Sequence, residues 1–144
     1  MVDVSTKADS RRVARATGMI SMSREAFEAV RDNAIAKGDV LGVARIAGIM
    51  GAKHTADMIP LCHPIPLASI EIDLALEESE PGVRATSTVV TTASTGVEME
   101  AMMAVTVALT TIYDMAKSVD RAMVISGVRL LSKTGGKSGD YTAP

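Results

Sequence analysis

Three places in the 144-residue chain set chemically capable side chains at informative spacings. In "TIYDMAKSV", Asp114 and Lys117 stand three residues apart and Tyr113 and Lys117 four apart, so each pair shares a face if the segment is helical. The ordinary reading is a solvated ion pair, stabilising a helix by about 0.2–0.5 kcal/mol. The setting admits more. Ile112 and Met115 flank Asp114, and a lysine partly withdrawn from water there would have its pKa lowered enough for general acid–base work, with Asp114 fixing its position. In "TGVEMEAMM", Glu98 and Glu100 open the same helix. Glu98 also fits a capping box closed on Thr95, and Met99 reads as packing unless the helix start lines a cleft. In "PLCHPIP" stand three of the five prolines, the only cysteine, Cys62, and one of two histidines, His63. Proline fixes φ and lacks a donor, so this segment is stiff and can be neither helix interior nor central strand.

Several other chemistries are excluded. Neighbours in an extended segment point opposite ways, so Cys62 and His63 form no nucleophile–base dyad and, even with His54, no zinc site. "SKTGGKSG" resembles a phosphate loop, but Leu131 stands where the first glycine would fall, and only seven residues follow Lys137, too few for the helix required. Arg11, Arg12, Arg15, Lys37, Lys133 and Lys137 fall at element ends or in irregular termini; singly each is a solvated charge, and converged they would cradle phosphate.

The elements that must position these groups follow from periodicity. "VARATGMISM" enters as an edge strand after a polar, irregular start. Ser23 caps a helix over residues 24 to 36 with Phe27, Val30 and Ile35 inward, and Asp39 caps a second, "VLGVARIAGIMGAK". That second helix is apolar almost all round except at Arg45, which points to a subunit interface. "SIEIDLALE" alternates strictly as a half-buried strand, and "ESEPG" turns it into a second, "VRATSTVVTTAS". A long helix runs to about Val119 with Val97, Met102, Val105, Leu109, Ile112, Ala116 and Val119 as its stripe. "MVISGVRLLSK" makes a last strand and "TGGKSGDYTAP" a mobile tail. The expected fold is α+β, an antiparallel sheet with helices on one face.

Composition bounds the rest. The length fits one domain, residues 1 to 144. Aromatics are 2% and Met numbers ten, so the core is aliphatic and thioether. A formal net charge of −2 gives no general grip on nucleic acid, and the scarcity of aromatics removes a base-stacking platform. No apolar run of about 18 residues exists to span a membrane, and a lone cysteine agrees with a reducing compartment, so a cytoplasmic protein is expected.

Four segments, "KGDVLGVARIAGIMGAKHTADMIPLCHPIPL", "TGVEMEAMMAV", "TIYDMAK" and "VRLLSKTGGKSGD", in this order and at these separations, closely resemble the cyclic pyranopterin monophosphate synthase family, protein C of molybdenum-cofactor biosynthesis. The resemblance runs from Met1 to Asp140. It implies a ferredoxin-like subunit in a homohexamer, a trimer of dimers with active sites at subunit interfaces. It implies a lyase that takes a GTP-derived cyclised dihydroguanosine triphosphate to cyclic pyranopterin monophosphate and pyrophosphate. Carried over by position, the catalytic aspartate is Asp114 and the essential lysines are Lys117, Lys37 and Lys133. Substrate contacts fall on Leu61, Cys62, His63, Met99 and Glu100, and Arg12 matches a basic residue near the triphosphate. The prolines would then hold the segment around Cys62 and His63 rigid for binding. No redox cofactor is demanded; Mg²⁺ can accompany the triphosphate, although no carboxylate cage is dedicated to it. Ala116 stands where many members have Cys, and Leu109-Thr110-Thr111 departs slightly from the usual run. Without the resemblance, an oligomeric nucleotide-binding module without turnover and a structural partner of another enzyme both remain open.

Overall fold

The computed structural model describes residues 1–137 and 139–144. It orders the chain as β1 (Ser10–Ser21), α1 (Arg24–Arg31), α2 (Val40–Lys53), α3 (Thr55–Met58), β2 (Ser69–Glu77), β3 (Gly82–Ala93), α4 (Glu98–Ala116), β4 (Val124–Thr134) and β5 (Tyr141–Thr142). The strands lie in the order β2-β3-β1-β4-β5 with every neighbouring pair antiparallel. β3 separates β1 from β2, and β1 separates β3 from β4, so each helical crossover skips a strand. This is the split arrangement of a ferredoxin-like α+β fold.

One row of the sheet shows which face carries the helices: Ile72 opposes Ser87, Ser87 opposes Ala16, and Ala16 opposes Leu130. Ser87 Oγ donates to the Ala101 carbonyl of α4 at 2.7 Å, and Ile72 lies under Gly48 of α2. The next row, Asp73, Thr86, Thr17 and Arg129, faces away from the helices and is polar. On the helix side β1 presents Ala14, Ala16, Gly18 and Ile20, all small except the last. A Cβ on Gly18 would lie 2.9 Å from both Val105 and Leu109, so α4 rides close over the middle of the sheet.

That closeness corrects the expectation of an edge strand. β1 pairs with β3 over all twelve of its residues and with β4 on its other side, so it is the centre of the sheet. Its small side chains, which lowered its apparent hydrophobicity, are what admit the helix. The first helix also ends earlier than residue 36. It stops at Arg31 because Asn33 adopts φ 54°, with its N–H donating to the Val30 carbonyl and that of Ala34 to the Ala29 carbonyl, a Schellman closure. Ser23 caps α1 and Asp39 caps α2 through their side-chain oxygens, as expected. The long helix has no capping box. Its N-cap is Val97, without a side-chain bond, and it ends at Ala116 with Lys117 as C-cap. Val119, expected on the inner stripe, is exposed. The tail is not wholly irregular, since Tyr141 and Thr142 pair with Lys133 and Ser132 of β4. Ser138, within that expected mobile tail, lies outside the described residues.

Candidate active site

The two ends of α4 carry different chemistry. At its C-terminal end Asp114 accepts from Lys117 Nζ through Oδ1 at 2.7 Å and from Lys37 Nζ through Oδ2 at 2.6 Å. Lys37 Nζ also donates to the Asp114 backbone carbonyl at 3.0 Å, one of the carbonyls a helix C-terminus leaves unpaired. The Schellman turn after α1 sends the chain back so that Lys37, 77 positions away, reaches this carboxylate. The hydrogen bond from Lys117, reinforced by Lys37, holds the Asp114 carboxyl down to about 2. The sequence pair was therefore incomplete without Lys37. The expected withdrawal from water is absent within the single chain: Ile112 and Met115 are buried, but the side chains of Lys37, Asp114 and Lys117 are each about half exposed.

The other end of α4 opens onto a cavity of about 410 Å³ whose walls include Leu61, Cys62, His63, Met99 and Glu100. The proline segment is fastened here. Thr91 Oγ1 donates to the Pro66 carbonyl at 2.5 Å and Ala68 N to the Val90 carbonyl at 2.8 Å, which ties the segment to the end of β3. Cys62 and His63 both reach the cavity wall despite being neighbours, because the segment turns at Cys62, whose N–H donates to the Ile59 carbonyl. His63 Nε2 donates to the Val2 carbonyl at 2.9 Å, which ties the N-terminal arm to the cavity wall. Glu100 is 5% exposed, and burial, aided by the charge of Glu98 and opposed by a backbone hydrogen bond, raises its carboxyl pKa. Burial, then the Glu100 charge, raises the Cys62 thiol as well, which makes it a poor nucleophile.

Lys133 stands beside this end, not the other: its Nζ lies 3.3 Å from Glu98 Oε1, with both groups mostly covered, at a neighbouring cavity of about 530 Å³ walled also by Arg129 and Tyr141. The capping-box reading of Glu98 hid this partnership. Arg12 sits further along, its Nε donating to the Ala93 carbonyl at 2.9 Å and its Nη2 to the Ser94 carbonyl at 3.2 Å, in the wall of a third cavity. Lys7, Val2 and Val4 of the arm also border the site and escaped the sequence reading, which treated that stretch as irregular. Their only signal was position, because nothing in local periodicity says that an arm folds back. Among the described residues no group of three or more His, Cys, Asp or Glu could hold a metal ion, and no helix is long and apolar enough to cross a membrane.

The sites named from sequence thus fall into two groups. Asp114, Lys117 and Lys37 lie at one end of α4; Leu61, Cys62, His63, Met99, Glu100, Lys133 and Arg12 lie toward the other. From Glu98 to Asp114 is sixteen residues of continuous helix, an axial distance of about 24 Å.

The MoaC family model matches residues 1–136. Cyclic pyranopterin monophosphate synthase of Heliobacterium modesticaldum is 57% identical over 141 residues, 98% of this chain and 89% of that protein. The protein of the same name from Cereibacter sphaeroides is 55% identical over 143 residues, 99% of this chain and 90% of that one.

Proposed function

This chain belongs to the MoaC family, and on that premise we propose that it is a lyase of molybdenum-cofactor biosynthesis. Its substrate is the cyclised dihydroguanosine triphosphate formed from GTP; its products are cyclic pyranopterin monophosphate and pyrophosphate. The reaction is a rearrangement with loss of pyrophosphate and exchanges no electrons with an outside partner, so no redox cofactor enters. Mg²⁺ accompanies the triphosphate rather than a dedicated protein site.

The observation that carries this reading is the Lys37–Asp114–Lys117 cluster, two ammonium groups on one exposed carboxylate. Rebuilding the purine needs proton transfers, and closing a cyclic phosphate needs charge stabilised on a leaving group. Lys117 exchanges the proton and Asp114 positions it, since a carboxyl held near 2 stays ionised throughout the neutral range. Lys37, Lys133 and Arg12 meet phosphate charge. Leu61, Cys62, His63, Met99 and Glu100 orient the base and ribose in the cavity fastened by the prolines.

Acid–base catalysis works at hydrogen-bond distance, and about 24 Å of helix separates the two groups. The active site is therefore shared: one subunit supplies the lysine cluster and a second supplies the cavity. This supports a homo-oligomer, and the hexamer built as a trimer of dimers is what the resemblance to the family implies. The exposed Val43, Ile46 and Met50 on α2 are apolar surface suited to further contacts between single-domain subunits. The setting is the cytoplasm.

The test is pyrophosphate release and pterin formation from the cyclised triphosphate, comparing the unmodified protein with Lys117→Ala. Turnover lost by at least about 100-fold in a folded variant supports the lyase. Tight nucleotide binding without product in the unmodified protein would establish instead a binding module using the same basic residues.

A further inference from the structure

Tyr113 lies beside Asp114 in the chain and shares a helix face with Lys117, and the chemistry assigned to the lysine cluster leaves its hydroxyl unused. Its ring is half-buried against the core, and its Oη donates to the Arg121 carbonyl at 3.0 Å, eight positions onward. That bond closes residues 113 to 121 into a loop with Lys117 at its midpoint. Asp120 fastens the same stretch from another side. Its Oδ1 accepts from Ala122 N at 2.8 Å, which folds the turn, and its Oδ2 accepts from Ser23 N at 2.7 Å, 97 positions away in sequence. The two N–H groups, that of Ser23 first, hold the Asp120 carboxyl below its ordinary pKa, so it is ionised in the neutral range.

Lys117 stands where such fastening has an effect. It is the C-cap of α4, with its own N–H on the Tyr113 carbonyl at 2.9 Å, and beyond it Val119 N and Asp120 N both turn back to the Ala116 carbonyl. A helix end of this kind frays unless groups outside the ladder hold it. The Lys117 and Asp114 side chains are about half exposed, and an ion pair that meets water fixes geometry only weakly. Ser23, in turn, is the N-cap of α1, and the connection after α1 delivers Lys37 to Asp114. The Asp120 carboxylate therefore ties the segment that bears Lys117 to the segment that leads to Lys37, without using either ammonium group.

We propose that Tyr113 and Asp120 are positioning residues for the lysine cluster, a two-point latch on residues 118–122 that holds Lys117 at Asp114 before substrate arrives. The inference rests on the lyase reading for its effect on rate, and on the hydrogen bonds alone for its effect on geometry. Both residues act through Lys117. Proton transfer requires the ammonium group within hydrogen-bond reach of its target, and a misplacement of about 1 Å costs as much as about 100-fold in rate.

The test uses Tyr113→Phe, which keeps the ring and loses the hydroxyl, Asp120→Ala, which removes both acceptors, and Asp120→Asn, which keeps one. Each full-length variant is assayed for kcat and KM in pterin formation, for Tm, and for the rate at which an acylating reagent labels Lys117, read by peptide mass spectrometry. Tyr113→Phe is expected to lower kcat about fivefold and Asp120→Ala at least about tenfold, the sizes of one neutral and one charge-assisted hydrogen bond. KM should stay within about twofold, because the loss falls on the chemical step, and Asp120→Asn should recover part of the rate. Labelling of Lys117 should speed up by similar factors as its hold on Asp114 loosens. Leu74→Ala, a core truncation in β2, should lower Tm and leave both kcat and labelling unchanged. A lower Tm with unchanged kcat and unchanged labelling in Tyr113→Phe and Asp120→Ala would make the turn a structural tie only, overturning the latch while leaving the lyase intact. Faster Lys117 labelling in the variants of a protein that makes no pterin would overturn the lyase and leave the latch standing.

Discussion

The proposed sharing of an active site between subunits makes a quantitative demand on mixed oligomers. Lys117→Ala damages the cluster at the C-terminal end of α4, and Lys133→Ala damages the side that contains Glu98, about 24 Å away along the same helix. Each variant alone is expected to be inactive, because every site in its oligomer lacks one lysine. In a two-fold dimer of one variant with the other, one of the two sites draws both halves from undamaged segments and the other site carries both lesions. Random reassortment of equal amounts makes half the dimers mixed, so about a quarter of the unmodified turnover should return. The assay is pyrophosphate release per subunit after co-refolding or co-expression, with two affinity tags showing that mixed oligomers formed. Mixed oligomers that release no pyrophosphate would place both lysines of each site on one chain and refute the argument from helix length.

The remaining expectations concern the buried parts of the same frame. Burial raises the folded-state pKa of Glu100 above the ordinary carboxylate value of about 4.3, so the native state binds more protons than the unfolded one between those two values. Stability must then fall as pH rises through that window. Glu100→Gln, which cannot ionise, should lose this slope and melt higher than the unmodified protein at pH 8; parallel melting curves from pH 4 to 8 would contradict the burial argument. Gly48→Ala should destabilise by about 1–3 kcal/mol, because its methyl would lie 2.7 Å from the Ala104 backbone carbonyl and 3.1 Å from the Ala108 Cβ, where neither can retreat freely. The measurement is Tm, expected to fall by about 2–4 °C per kcal/mol, and an unchanged value would mean that α2 does not depend on close approach to α4.

Periodicity made the regular elements legible because their burial is regular. The alternation of Ile70, Ile72, Leu74 and Leu76 set the limits of β2 to the residue, and Asp39 located the start of α2. Asp114 and Lys117 were legible because a helix turns three residues into a contact. What stayed hidden depends on long-range approach. β1 looks like an edge because its helix-facing side chains are small, and only α4 lying over Gly18 explains them. Lys37 reaches Asp114 through a loop whose course is decided by the left-handed Asn33. Glu98 matched a local cap, yet Lys133, 35 positions onward, took its carboxylate. The arm residue Lys7 carried no pattern at all, and the arm that bears it is held by a hydrogen bond from His63 to Val2 that no local rule anticipates.

The distribution of charge along α4 also bears on its stability. Its first turn carries Glu98 and Glu100, and its last turn and cap carry Asp114 with two lysines, one of which also bonds a terminal carbonyl. Both choices agree with the helix dipole, which favours anions at the N-terminus and cations at the C-terminus. Asp114 does not reverse this, because two ammonium groups exceed its single charge. Its carboxyl, lowered to about 2 from an unfolded value near 3.9, contributes stability that is complete above about pH 4 and is lost only as pH falls toward 2. In the proposed reaction, Asp114 with its two partners can release one lysine to a phosphate and keep the other, so that its carboxylate stays paired when substrate binds.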